Sequence, residues 1–221
     1  AANALRAGEC DAAIAGGVNL LLMPDDTAYL CQMGALSRSG RCHTFDSRAS
    51  GYVLGEGAGV VLLKRLSDAQ RDGDVIQAVL LGSATNHDGR SSGLTVPNGA
   101  AQEAVLREAV AAAGVDPSQI GFLETHGTGT GLGDPIEVRA AAAVYGDGRS
   151  AEWPLQLGAV KANLGHAELA AGAASLIKAI LCLKHGKIPP HPDLVHVNPA
   201  LDLRGMNIPV ALTEWKQMPR L

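Results

Sequence analysis

Apolar and polar positions divide the chain into short apolar runs separated by amphipathic stretches, the alternation expected when strands and helices follow one another. The first run, 11–15 (DAAIA), reaches Gly16-Gly17 and reads as a buried strand ending in a tight turn. The second, 57–63 (GAGVVLL), carries glycines that predict close approach of a neighbouring backbone. Runs at 75–81 (VIQAVLL), 120–124 and 155–160 (LQLGAV) predict three more strands, and 208–212, with Pro209, a last edge strand. Between them, 66–71 reads as a helix broken by Asp72-Gly73-Asp74. The stretch 100–113 sets Val105, Leu106, Ala109, Val110 and Ala113 at the helical period before Gly114 and Pro117. Asp134-Pro135-Ile136-Glu137 predicts a helix start, with Asp134 as N-cap, Pro135 at the first helical position and Glu137 closing a capping box; Gly146 ends that helix. The stretch 168–185 is almost wholly apolar, which predicts a buried helix stopped by Gly186. Residues 24–56 read as loops with short helices, 86–98 as a turn-rich loop, and the proline-rich stretch after Gly186 as an extended crossover.

This order predicts an α/β fold with a mainly parallel sheet, and a half-domain boundary near Gly73 that divides 1–72 from 73–221. The 221 residues suffice for one large or two small domains, and the 47% apolar content, rich in Ala, Val, Leu and Gly, suits helices packed closely on strands buried on both faces. A net charge of −4 argues against nucleic-acid binding, which needs a basic stripe or patch. The longest apolar segment, 169–183, is interrupted by Lys178 and is too short to span a membrane. Cys10, Cys31, Cys42 and Cys182 have no metal-type spacing and no secreted-domain framework, so reduced thiols in the cytoplasm are expected. The seven histidines show no zinc spacing, and no metal is expected. Residues 1–9 read as the tail of a helix without an initiator Met, and the chain stops at Met218-Pro219-Arg220-Leu221 without a polar tail; both ends read as those of a fragment.

Two motifs carry the chemistry. His126-Gly127-Thr128-Gly129-Thr130 follows the strand run 120–124; its glycines let the backbone approach a ligand, and its hydroxyls suit an amide-bearing chain. Taken alone, it fits a structural turn with a solvated histidine equally well. The spacing of Gly127, Gly129, Gly131 and Gly133 matches no phosphate loop. Lys161-Ala162-Asn163-Leu164-Gly165-His166 follows the run 155–160. A neutral His166 near a helix N-terminus can donate one hydrogen bond to a developing oxyanion, or can simply pack at the junction. Lys161, ending a buried strand, needs a carboxylate, for which Glu137 and Glu124 are the candidates. Cys42-His43 are sequence neighbours whose side chains should diverge, Cys10 and Cys182 read as inert core thiols, and Cys31 has no base in view.

Together with CDAAIAGGVN at 10–19, GALSRSGRCHTFD at 34–46, GYVLGEGAGVVLLKRL at 51–66, NHDGRSSGLTVPN at 86–98, ETHGTGTGLGDPIEV at 124–138 and KANLGHAELAAG at 161–172, these motifs resemble the β-ketoacyl synthase family, specifically the ketosynthase domains of modular polyketide synthases. The resemblance implies a thiolase-like layered α-β-α-β-α fold, here the end of the first half and most of the second, normally paired as a homodimer. It implies a decarboxylative Claisen condensation: a cysteine takes the growing acyl chain, and the enolate of malonyl- or methylmalonyl-acyl carrier protein attacks it. By the same resemblance His126 and His166 stabilise the enolate, Lys161 orders the site through Glu137, Asp134 and Asn163 support it, and Thr128 and Thr130 contact the phosphopantetheine arm. It implies no bound cofactor, with substrates delivered on the carrier protein's phosphopantetheine, and an acyltransferase domain as neighbour. The family's nucleophile segment (TACSSS-type) and its GFGG-type segment do not occur in these residues, so this piece alone is expected to form no acyl-enzyme. The alternatives are a non-catalytic ketosynthase-like scaffold, a decarboxylase-type starter domain, a thiolase or initiating condensing enzyme, and the condensing domain of a multidomain fatty acid synthase.

Overall fold

The computed structural model describes every residue except Ser92, Leu94, Thr95, Gln217 and Met218, so parts of the 86–98 loop and Met218 of the chain end lie outside the described residues. In chain order the elements are α1 (Ala2–Arg6), β1 (Ala12–Asn19), α2 (Pro24–Gln32), β2 (Gly57–Lys64), α3 (Leu66–Asp72), α4 (Gly99–Ala113), a 3-10 turn (Pro117–Gln119), β3 (Phe122–Glu124), α5 (Gly133–Tyr145), β4 (Leu155–Gly158), α6 (Lys161–Leu164), a 3-10 turn (Glu168–Ala170), α7 (Ala171–His185), β5 (Lys187–Ile188), β6 (Met206–Asn207) and β7 (Thr213–Glu214).

Among the described residues, one sheet is parallel. It runs β3-β4-β6, with Phe122 opposite Gln156 and Leu155 opposite Met206. Strands β1 and β2 pair antiparallel over their full length, Ala12 opposite Lys64 through Asn19 opposite Gly57, and β5 pairs antiparallel with β7. The expected mainly parallel sheet is corrected accordingly. The predicted turn at Gly16-Gly17 is corrected too, because β1 runs straight through both glycines. Their role is clearance: a Cβ on Gly17 would stand 2.1 Å from the Leu169 carbonyl oxygen, and one on Gly59 of β2 would stand 2.9 Å from the Ala173 Cβ. Small residues thus let α7 and the turn before it lie directly on the hairpin. The opposite face of the hairpin presents Ile14, Val18, Val60 and Leu62 to solvent.

The run 75–81 forms no strand; it pairs with no strand among the described residues and leaves Val75 84% exposed. The predicted edge strand at 208–212 is likewise replaced by the two-residue strands β6 and β7 on either side of it. Both places have the apolar composition of a strand, but a strand also requires a neighbouring backbone to take its N–H and C=O groups.

The main core lies between the parallel sheet and α4 and α5, where Val138, Ala142, Leu155, Leu157 and Phe45 are fully or almost fully buried. Strands β3 and β4 are parallel neighbours, so the loops leading out of them, which bear the two histidines, emerge side by side. Helix α4 ends where its sequence predicts, Gly114 closing it in the left-handed conformation, and it begins with a cap not read from the sequence: the Asn98 side chain accepts from the Ala100 and Ala101 amides. A smaller core of Phe122, Cys182, Ile188 and Trp215 fixes α7 against the edge of the sheet.

Candidate active site

His126 stands two residues beyond β3 and His166 eight beyond β4; their ring centroids are 5.3 Å apart and nearly perpendicular, at 80°. The loop that carries His126 is held by carboxylates. Glu137 Oε1 accepts the His126 amide at 2.6 Å and Oε2 the Gly127 amide at 2.9 Å, while Asp134 accepts the Gly129 amide at 3.1 Å and the Phe45 amide at 2.9 Å. Gly127 and Gly129 have φ of 50° and 75°, and a Cβ on Gly127 would stand 2.7 Å from Ala159 Cβ, so the loop's path requires glycine there. Thr44 Oγ1 donates to the Gly127 carbonyl at 2.7 Å, and the Gly51 amide to that of Gly129 at 3.0 Å.

His166 is fixed by a segment more than one hundred residues away in sequence. Its amide donates to the Val53 carbonyl at 2.6 Å, and its own carbonyl accepts the Gly55 amide at 2.9 Å. The imidazole Nδ1 accepts the Glu168 amide at 2.9 Å. An accepting Nδ1 carries no proton, so the neutral ring holds its N–H at Nε2. The donor is one 3-10 turn; α7 begins only at Ala171, so a single amide rather than the long helix's dipole sets the tautomer.

Three expectations about the supporting residues are corrected. Lys161 does not end a strand but opens the one-turn helix α6, and it makes no ion pair with Glu137 or Glu124. Glu137 is occupied by two amides, and Glu124 pairs with Lys178 at 2.7 Å. Asp134 is not an N-cap: α5 begins at Gly133, so Asp134 and Pro135 lie inside its first turn, and Asp134 and Glu137 serve the loop rather than closing a capping box. A capping pattern competes with any other backbone amides within reach, and here the loop amides win. Asn163 is exposed on α6, away from this hydrogen-bond network. Thr128 and Thr130 are half-buried with their hydroxyl oxygens 3.4 Å apart, and Thr130 Oγ1 also accepts the Gly133 amide.

The electrostatics follow from burial, to which the charge of Lys161, only 2% exposed, is added. Burial first, and then the Lys161 charge, hold His126 down at about 4; burial, Lys161 and the neighbouring His126 do the same for His166. Both rings are therefore neutral at pH 7, although one flank of His126 is open to solvent. Lys161 is itself lowered by burial, against the pull of Glu137, Glu124, Cys42 and Glu168. Burial pushes Asp134 up to about 6 and raises Glu137. Cys42 is buried close enough for its thiol to feel the Lys161 charge; its Sγ accepts the Val53 amide at 3.2 Å, and burial raises its pKa, which disfavours the nucleophilic thiolate.

Against known families, residues 1–69 match the family model "Beta-ketoacyl synthase, N-terminal domain" and residues 77–195 match "Beta-ketoacyl synthase, C-terminal domain". The chain belongs to the β-ketoacyl synthase family. This ketosynthase chain is 55% identical over 218 residues to one of the phenolphthiocerol/phthiocerol polyketide synthase subunits of Mycobacterium tuberculosis, covering 97% of the chain and 12% of that relative. It is 48% identical over 208 residues to the highly reducing polyketide synthase 40 of Fusarium mangiferae, covering 94% of the chain and 8% of that relative. Among solved structures, the ketosynthase from module 6 of the bacillaene synthase of Bacillus subtilis 168 superposes with a TM-score of 0.93 at 36% identity, over 98% of this chain and 39% of that one. The oxazolomycin ketosynthase domain of Streptomyces albus JA3453 gives 0.90 at 42% identity, over 96% and 37%. The thiolase-like α/β fold implied by the motifs is thus shown. The chain spans a small part of the curated relatives it matches.

The histidine site also contains residues to which the sequence reading gave no role. Thr44 and Phe45, Tyr52 and Val53, and Glu168 each touch a histidine loop or ring. Their contacts with the motifs span long sequence distances or act through backbone groups, and no local spacing announces them; only the polar, glycine-rich character of 34–56 marks that stretch as a loop with something to hold. His191, placed by its sequence in an extended crossover, is buried behind the site: its ring is 5.3 Å from Phe45 and its Nε2 3.0 Å from the Thr44 carbonyl. Two open clefts of about 660 and 420 Å³, bordered by Arg149 and Asn207 and by Trp153 and Trp215, share no residue with the histidine site. Among the described residues no cluster of three metal-ligating side chains occurs, and no helix is long and apolar enough to cross a membrane.

Proposed function

We propose that these residues supply the decarboxylating, enolate-stabilising part of a polyketide-synthase ketosynthase, and that the single observation carrying this is the pair of neutral imidazoles 5.3 Å apart. When a malonyl thioester loses carbon dioxide, the electron pair of the broken C–C bond moves into the thioester and leaves an enolate with a negative oxygen. A neutral imidazole N–H aimed at that oxygen stabilises it as charge develops. An imidazolium would instead protonate the enolate and quench the carbon nucleophile, so the depression of both pKa values serves the chemistry. Carbon–carbon bond formation follows when the enolate carbon attacks an acyl thioester and expels its thiolate.

In this reading His126 and His166 are the donors, burial and then the Lys161 charge hold them neutral, and Glu137 and Asp134 fix the loop of His126 through its amides. Asn163 has only a distant supporting part, by its place on the turn of Lys161. The hydroxyls of Thr128 and Thr130 suit the amides of a phosphopantetheine arm, so substrates arrive on acyl carrier protein and the chain binds no cofactor of its own. Residues 1–72 and 73–221 act as the end of one ketosynthase half and most of the other. A homodimer, a neighbouring acyltransferase domain and a cytoplasmic setting accord with the polyketide synthases that the chain resembles and with its four free cysteines.

The test uses the full polypeptide that carries this sequence and measures carbon dioxide released from a malonyl-phosphopantetheine thioester. His126→Ala and His166→Ala should each lower the rate about a hundredfold or more, since each removes one oxyanion donor. Rates within a few-fold of wild type in both variants would overturn the assignment.

A further inference from the structure

Glu168 and Tyr52 have no part in the chemistry described above, yet both press on His166. Glu168 has φ of 40°, a conformation uncommon outside glycine. It brings two groups of one residue to the same edge of the imidazole: the Glu168 amide donates to Nδ1 at 2.9 Å, and its Oε1 lies 3.9 Å from that nitrogen. Oε1 is buried and has no hydrogen-bond partner of its own. Burial first, and then the nearby Glu168 carboxylate, raise the pKa of the Tyr52 phenol, so the two groups lie close together. The Tyr52 ring in turn packs on His166, centroid to centroid 5.0 Å at 51°. Tyr52 is held by its backbone, its amide donating to Ala35 and its carbonyl accepting the Ser37 amide. One hydrogen bond at Nδ1 leaves an imidazole free to swing about that bond; an aromatic ring against its face does not.

We propose that Glu168 and Tyr52 are positioning residues for His166, the Glu168 amide selecting the tautomer and the Tyr52 ring, beside the Glu168 side chain, packing on the imidazole so that Nε2–H keeps one direction. This rests on the reading of His166 as an enolate-stabilising donor. The strain at Glu168 is then explained: a relaxed backbone would withdraw the amide from Nδ1.

Four variants of the full polypeptide separate the contributions: Tyr52→Phe, Glu168→Gln, Glu168→Gly and Glu168→Ala. Glycine accepts positive φ without cost, so Glu168→Gly keeps the amide on Nδ1 and deletes only the side chain. Tyr52→Phe and Glu168→Gly should lower kcat for malonyl-thioester decarboxylation roughly tenfold with KM unchanged, whereas Glu168→Gln, which keeps an acceptor oxygen beside the phenol, should stay within about twofold of wild type. Imidazole ¹⁵N spectra should show a single Nε2–H tautomer for His166 in wild type and Glu168→Gln, exchange broadening in Tyr52→Phe and Glu168→Gly, and mixed tautomers in Glu168→Ala. Wild-type kcat in both Tyr52→Phe and Glu168→Gly, or a Glu168→Gln as slow as Glu168→Gly, would overturn the positioning role. A wild-type protein that releases no carbon dioxide would instead overturn the functional reading, and the ¹⁵N spectra would then decide the positioning alone: unchanged spectra in all four variants would refute it.

Discussion

Lys178 and Glu124 form an ion pair beneath the histidine site, 2.7 Å apart with side chains 16% and 5% exposed. Glu124 ends β3, and its Oε1 also accepts the Val160 amide, so this carboxylate ties the root of the His126 loop to the root of the Lys161 turn. Substituting Lys178→Met keeps most of the stem and removes the charge. Breaking a buried pair on one side costs about 3 to 5 kcal/mol, because the remaining charge has no counter-ion. Here the loss has a ceiling, because Glu124 can take up a proton instead. Protonating a carboxylate of ordinary pKa about 4.3 at pH 7 costs about 1.36 kcal/mol for each pH unit, or about 3.7 kcal/mol. Burial raises Glu124 even with Lys178 beside it, so the intact pair is itself no large source of stability and the net loss should fall below that ceiling, at about 2 to 3 kcal/mol.

The sign of the pH dependence follows. In Lys178→Met the folded chain holds a proton on Glu124 that the unfolded chain releases above pH 4.3, so the deficit should shrink by up to about 1.4 kcal/mol for each unit the pH is lowered from 7 toward 5. The double variant Glu124→Gln/Lys178→Met leaves no buried charge and keeps an acceptor for the Val160 amide; it should recover most of the loss. Urea unfolding of the full polypeptide at pH 7 and pH 5, with hydrogen exchange at the Thr125 and Val160 amides, measures both effects. A Lys178→Met protein within about 0.5 kcal/mol of wild type at pH 7, a deficit that does not change with pH, or a double variant no better than the single one would refute the reasoning.

Three further outcomes follow from the same geometry. With both site histidines held at about 4, decarboxylation should be level from pH 8 to pH 5 and fall only below that, along a limb near pH 4; a limb at 6 to 7 in the pH–rate profile would show that the rings titrate as free imidazoles. His191 is buried neutral and held at about 4, while the unfolded chain takes its proton at about 6.5, so stability is complete above 6.5 and is lost as the pH falls toward 4, by up to about 3 kcal/mol. His191→Gln, which keeps an N–H for the Thr44 carbonyl, should flatten the slope of urea midpoint against pH in that window; an unchanged slope would assign the loss to other groups. Gly127→Ala should cost about 1 to 2 kcal/mol from positive φ alone, more with the clash at Ala159, and should lower decarboxylation more than Gly131→Ala, whose Cβ meets nothing closer than 3.7 Å; equal effects in stability and rate assays would show that the path of this loop is not constrained.

The two histidine motifs are legible in the sequence because each lies in one short stretch where glycine, hydroxyl and imidazole spacing is itself the signal. Helices α3, α4 and α5 are legible for the same reason, their periodicity and their closing glycines being local. What cannot be read there is decided between distant residues. The Asp134-Pro135-Ile136-Glu137 pattern has the composition of a capping box, but Phe45, 89 residues away, takes one of the Asp134 oxygens. Lys161 poses a sound demand, a carboxylate for a buried ammonium, but not the answer, because Glu124 has a competing claim from Lys178 on another helix. His191 looks idle in a proline-rich stretch because its partners, Phe45 and the Thr44 carbonyl, lie nearly 150 residues earlier. Periodicity reports what a segment buries; it does not report which backbone it pairs with, and so 75–81 has the pattern of a strand and 16–17 that of a turn.

The failed pairing of Lys161 changes how the site's charge should be understood. A lysine locked to a carboxylate is nearly neutral a few ångströms away, because the two fields cancel. Lys161 instead has Glu137, Glu124 and Glu168 close enough to oppose the lowering that burial imposes on it but none in contact, while Glu137 is held off by the amides of His126 and Gly127 and Glu124 by Lys178. Its positive field therefore reaches both imidazoles, where it lowers their proton affinity, and it extends to whatever negative oxygen those imidazoles hold. The amides that position the His126 loop are thus also what keep Glu137 from quenching Lys161, so that one set of hydrogen bonds fixes both the geometry and the charge of the site.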